Sequence, residues 1–170
     1  MYAAGVASTT SAEVDLTSVP RAKRSPARFT AVRVNGLDAS GSATDGIVSG
    51  GLLEITLTIG ANERVSRAVA GVDIMDERGR PAAGVSTDSR DVWFDVEAGG
   101  SRTITLTLRD VELRAGAYTL GLTLRTMAEV LDEVDAVVRF EVESRPETPY
   151  ERWAGWPQAA YLPSYEVALR

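Results

Sequence analysis

Carboxylates and guanidiniums must carry whatever chemistry this chain performs, because its 170 residues include no histidine and no cysteine. Those two absences remove zinc sites of the usual ligand set, histidine-based triads and cysteine nucleophiles together. They also remove any disulfide framework and leave the chain compatible with a reducing compartment. Two carboxylate pairs, Asp132 with Glu133 and Asp88 with Asp91, have the residue types of a glycosidase. Nothing in the sequence sets either pair in the apolar pocket that an acid catalyst requires, so no enzyme is expected. The Asp88-Ser-Arg-Asp91 loop lacks the spaced oxygen ligands of a calcium loop, and neither a metal nor a cofactor is expected. What remains is hydrogen bonding by acids, arginines and hydroxyls held on a rigid surface. Asp73, Thr123, Arg125 and Arg139 stand at positions that would build one.

The segments that carry those four residues alternate apolar and polar side chains at period two, which puts one face in a core and the other in water. Leu53, Ile55, Leu57 and Ile59 alternate with Glu54, Thr56 and Thr58, and Ala70, Val72 and Ile74 with Gly71, Asp73 and Met75. Asp76-Glu-Arg-Gly79 supplies a hairpin turn, with a short strand near Ala83–Thr87 pairing back. Val92, Phe94 and Val96 precede the turn Ala98-Gly-Gly-Ser101, and Ile104, Leu106 and Leu108 follow it. Tyr118, Leu120, Leu122 and Leu124 form the clearest inward row. The opening strand from Phe29 is expected to turn Thr30, Val32 and Val34 to one side, and the last core strand Ala136, Val138, Phe140 and Val142 inward. Thr126 to Leu131 is the only helical candidate. Short, regularly spaced strands without convincing helices indicate an all-β fold, an immunoglobulin-like antiparallel β-sandwich. In such sandwiches a tyrosine opening the late central strand bonds back to nearby backbone, and Tyr118 fits that corner better than a ligand contact.

Composition supports one core. Hydrophobic residues make up 44% and charged residues 25%, which is globular rather than disordered. A formal net charge of -6 with dispersed basic residues offers no long-range attraction to nucleic acid or an anionic membrane surface. No window reaches the length of a membrane-spanning helix, and the first ten residues lack the basic and apolar regions of a secretion signal. Residues 1–26, ending in the proline-broken basic run Pro20-Arg-Ala-Lys-Arg-Ser-Pro26, are expected to form a flexible leader or linker remnant, followed by the sandwich over 27–144. Residues 145–170 concentrate Tyr150, Trp153, Trp156, Tyr161 and Tyr165 between prolines, an apolar surface that needs a place to dock.

In the order Phe29-Thr-Ala-Val-Arg-Val34, Gly71-Val-Asp-Ile-Met-Asp76 through Gly79, Val85-Ser-Thr87, Gly116-Ala-Tyr118 and Asp132, the core resembles a known family. It is similar to the C-terminal carbohydrate-binding domain of the ATPase subunit of O-antigen polysaccharide ABC exporters, the Wzt type. The closing run Gly155-Trp-Pro-Gln-Ala-Ala-Tyr-Leu-Pro-Ser-Tyr-Glu-Val167 looks like that family's end. The resemblance implies a non-catalytic module that selects a lipopolysaccharide-type glycan at the inner face of the cytoplasmic membrane. Its partners would be the ATPase and membrane subunits of the transporter. No Gly-x-x-x-x-Gly-Lys-Ser/Thr loop occurs, so this chain is either an excised domain or a separate protein beside an ATPase.

Sugars need planar donors and acceptors, small residues and an aromatic face. If the strands of Asp73, Arg125 and Arg139 are neighbours in one sheet, then Asp73, Thr123, Arg125 and Arg139 are the expected glycan contacts, with Trp93 as a stacking platform. The plainer account of each is a cross-strand ion pair, or for Trp93 an edge cover. The threonine rows Thr56, Thr58, Thr103, Thr105 and Thr107 belong to the opposite, solvated face. Residues Tyr161 to Leu169 would add as an edge strand either to their own sheet or to a second copy. The resemblance implies the second, a homodimer by C-terminal strand exchange held by Trp156, Tyr161, Tyr165 and Val167. The alternative to glycan recognition is a structural or protein-interaction domain of the same fold.

Overall fold

The computed structural model describes residues 13–21, 24–144 and 164–169. Among them, the alternating rows form two sheets packed face to face. One sheet runs β1 (Glu13–Asp15), β2 (Ala27–Leu37), β5 (Gly51–Ala61), β9 (Ser101–Val111) and β12 (Ser164–Leu169), with β3 (Ala43–Thr44) also on β2. The other runs β4 (Ile47–Val48), β11 (Val130–Glu143), β10 (Gly116–Arg125), β6 (Val65–Asp76) and β7 (Pro81–Ser86), with β8 (Phe94–Val96) also on β6. Among the described residues only β4 and β11 pair in parallel. The fold is the all-β antiparallel sandwich that period-two alternation dictates.

The inward rows meet in one core. Leu53, Ile55, Leu57, Ile59, Ile104, Leu106 and Leu108 of one sheet and Ile74, Leu120, Leu122 and Leu124 of the other are sealed from water. Each such side chain contributes about 1.5–3 kcal/mol by leaving water, which is why the alternation is so strict in β5, β9 and β10. Tyr118 stacks on Phe140 at 5.8 Å, and its hydroxyl donates to the Arg114 carbonyl oxygen at 2.9 Å, closing the expected corner. Burial raises the Tyr118 phenol above its ordinary value, and the nearby Asp76 carboxylate adds to this.

Among the register shifts in the two sheets, those in β2 and β11 depart from the expected alternation. In β2 the register jumps between Phe29 and Ala31, so Phe29 is the inward residue and Thr30 is only half-buried. In β11 Leu120 faces Val138 while Leu122 faces Val134, which leaves Asp135, Ala136 and Val137 opposite Gly121 alone. Ala136 was expected inward; it is exposed, with φ at 49°, and Val134 takes its place in the core. The two extra residues leave the parity of the flanking strand unchanged, so Val134 and Val138 both point inward and Ala136 between them is pushed out. Thr126 to Leu131 is not helical: Thr126 Oγ1 accepts from Ala128 N and Glu129 N in a turn, and β11 begins at Val130. A 3-10 turn spans Thr87–Arg90 instead, and Val92 lies between it and β8 rather than in a strand.

Residues 13–21, within the span expected as a leader, pack on the sandwich. Glu13, Val14 and Asp15 pair with Arg33, Val32 and Ala31, and Leu16 is buried. Arg21 donates to both carboxylate oxygens of Asp132, at 2.7 and 3.3 Å, and to the carbonyls of Val19 and Phe29. Phe29 N donates to the same carboxylate at 2.9 Å, so Asp132 on one sheet holds β2 of the other. At the far end, β12 pairs with β9 of its own chain, and Val167 packs against the core. Trp156 and Tyr161 lie outside the described residues; of Tyr165 only its place opposite Leu108 is described.

Candidate functional site

β6, β10 and β11 are neighbours, so the residues that alternate away from the core form a shared outer surface. Its register sets three rows across the strands. Met75, Thr119 and Arg139 make the first; Gly84, Asp73 and Gly121 the second; Ser86, Gly71, Thr123 and Glu133 the third. Asp73, Glu133, Asp135, Arg139 and Glu141 are exposed, while Thr119, Thr123 and Arg125 are half-buried between them. The sheet therefore brings Asp73, Thr123, Arg125 and Arg139 onto one face, as their parity requires.

Their partners differ. Arg125 sits at the end of β10 and gives its guanidinium to Asp88 of the 3-10 turn, so the plainer ion-pair account holds for it. Desolvation works against the Asp88 charge, but the Ser86 hydroxyl and the Arg125 guanidinium outweigh it and hold the carboxyl below its ordinary value. Asp73 and Arg139 make no ion pair among the described residues, and each presents its polar end to water. Trp93 is half-buried just before β8, with the Arg67 guanidinium 4.9 Å from its ring centre. One side of its indole is already taken by a cation.

The acids considered for hydrolysis do not converge. Asp132 is buried and bonded to Arg21 and Phe29, whereas Glu133 faces outward on the other side of the strand. Asp88 is held by Ser86 and Arg125, and Asp91 is an exposed left-handed residue closing the turn. Among the described residues no group of three or more carboxylates is arranged to hold a metal ion. No helix among them is long and apolar enough to cross a membrane.

Two glycines sit between these side chains, Gly84 half-buried against the Asp73 carboxylate and Gly121 buried between Asp73 and Asp135. A Cβ on Gly84 would lie 3.0 Å from Asp73 Oδ1, and one on Gly121 would lie 3.8 Å from Asp73 Cβ and 3.9 Å from Asp135 Oδ1. Glycine inside a strand marks close approach to the backbone, and that was the available signal for Gly84.

The Wzt C-terminal domain family model matches residues 19–155, most of the chain. The chain belongs to that family. No curated protein sequence matches it. The crystal structure of the C-terminal domain of Wzt aligns with a TM-score of 0.59 at 14% identity, covering 71% of this chain and 75% of that one. A putative beta-galactosidase from Bacteroides fragilis aligns at 0.43 and 14% identity, over 59% of this chain and 15% of its own. A CARDB domain from Pyrococcus furiosus aligns at 0.42 and 16%, over 77% and 99%. The Wzt C-terminal domain shares this sandwich, and the resemblance drawn from Phe29, Gly71–Gly79, Tyr118 and Asp132 is borne out at the level of family and fold.

Proposed function

We propose that this Wzt C-terminal domain recognises a surface polysaccharide of the O-antigen type for export by an ABC transporter. It does so without catalysis, through the outer face of β6, β10 and β11. The observation that supports this reading is the pairing of exposed, uncommitted Asp73 and Arg139 with half-buried Thr119 and Thr123 on one sheet of a Wzt-family domain. Carboxylate, guanidinium and hydroxyl groups at strand spacing match the hydroxyls of a sugar chain lying across the strands. Arg125, paired to Asp88, contributes as a positioned donor at the rim, and Trp93 has one face left for stacking. The domain works at the inner face of the cytoplasmic membrane beside the ATPase and membrane subunits. It forms a homodimer by exchange, in which β12, with Tyr165 and Val167, leaves β9 of its own chain for β9 of a second copy.

Titrating the chain with surface polysaccharide from its own source, beside an unrelated polysaccharide, tests the reading. Arg139→Ala and Asp73→Ala are expected to weaken selective binding at least tenfold with unchanged thermal unfolding, and Arg125→Ala less. Light scattering on the same samples should give twice the chain mass, and a monomer would overturn the exchange. Indifference to both polysaccharides by the folded chain would favour the protein-interaction reading.

A further inference from the structure

We infer that residues 13–21 are a strap that holds the bulges of β2 and β11 in shape, so that its docking sets how firmly β11 presents its outer side chains. This goes beyond the glycan reading and does not depend on it. Both places where alternation fails lie beside this segment. In β2 the residue left over at the bulge is Thr30, and its carbonyl accepts from Leu16 N at 2.8 Å. In β11 the bulge holds Val137, which is buried and lines a cleft of about 260 Å³ together with Val14, Leu16, Val19 and Pro20 of the strap.

The bulge in β11 needs such a support. Val134, Ala136, Val138 and Phe140 alternate as a regular strand would, yet Ala136 stands outside at φ 49°. A residue in that region persists only where its surroundings fix it. β10 flanks one side of the bulge; on the other, β11 has no strand of its own sheet among the described residues until Val142 meets Ile47 of β4. The strap occupies that margin. Leu16 and Val137 belong to one core cluster, Val14 and Val19 pack against it, and Arg21 fastens the end of the strap to Asp132 just before the bulge. The strap itself is held lightly, because β1 pairs through only Glu13, Val14 and Asp15 at the edge of β2 and the cleft leaves its apolar side chains incompletely packed. It is therefore the part that opens first. When it does, Val137 meets water and the bulge loses the burial that offsets its strain.

Hydrogen exchange read residue by residue in the full chain tests this. Leu16→Ala should speed the protected amides between Asp132 and Val138 at least tenfold more than those of β5 and β9. Val19→Ala, a smaller loss at a half-buried position, repeats the measurement if Leu16→Ala does not fold. Ile55→Val, in the core away from the strap, should speed β5, β9 and β11 alike and gives the pattern of a merely global loss. Coupling of this kind runs both ways. Val137→Ala should therefore speed the Leu16 amide, bonded to Thr30, by more than the amides of β5 and β9. Equal acceleration of all strands by the strap variants, or a Leu16 amide indifferent to Val137→Ala, would overturn the strap.

Discussion

Tyr118 shows how much one side chain settles. Its ring packs on Phe140 and its hydroxyl reaches back four residues to the Arg114 carbonyl, so it fixes where β10 begins and hence the register of the outer face. Tyr118→Phe is expected to cost about 1 kcal/mol in urea unfolding at neutral pH, the net worth of one such bond. The pH dependence follows from the raised phenol: burial, aided by Asp76, favours the neutral form in the folded state. That contribution is complete below the unfolded value of about 10 and is lost as pH rises through the higher folded value. Urea midpoints at pH 9 and pH 11 should therefore fall further for the wild type than for the Phe variant. Of the site residues, Asp73, Thr123 and Arg139 were legible because parity alone decides the face. The Arg125 pair was not, since its partner Asp88 sits on a 3-10 turn whose Thr-Asp-Ser-Arg sequence carries no period to read.

Alternation gave the inward rows of β5, β6, β9 and β10 correctly, and it failed locally at the bulges of β2 and β11. Nothing in the types of Asp135, Ala136 and Val137 announces that three residues will face one, yet that excess moves Ala136 from the core to water. An excess of two residues leaves the parity on either side unchanged, so the error stays local to the bulge. Val138, Phe140 and Val142 are accordingly buried as expected beyond the bulge. The bulge also carries a cost, because an L-residue at φ 49° crowds its Cβ against the backbone. Ala136→Gly is expected to raise stability by roughly 0.5–1 kcal/mol, measured by urea unfolding, since relief of that crowding exceeds the added chain entropy of glycine. The ends of the chain were the other blind spot: an Ala-, Ser- and Thr-rich run gives little hint that Leu16 and Arg21 are seated.

At the scale of the molecule, Asp132 is the tie between the sheets: it belongs to β11 but receives hydrogen bonds from Phe29 of β2 and from Arg21. Removing the guanidinium leaves that buried carboxylate short of its counter-charge. Arg21→Ala should cost about 3 kcal/mol, visible as a lower urea midpoint, within the range for breaking a buried pair from one side. A single transition should persist, because both sheets share one core cluster. The same arrangement has a mechanical consequence. A pull applied at Glu13 peels β1 from the margin of its sheet one residue pair at a time. Once Arg21 is reached, the load passes through its guanidinium to Asp132 and so to β11 of the opposite sheet, the strand that carries Asp135 and Arg139. Tension entering at Glu13 is thereby delivered to the outer face of the opposite sheet rather than absorbed at the edge.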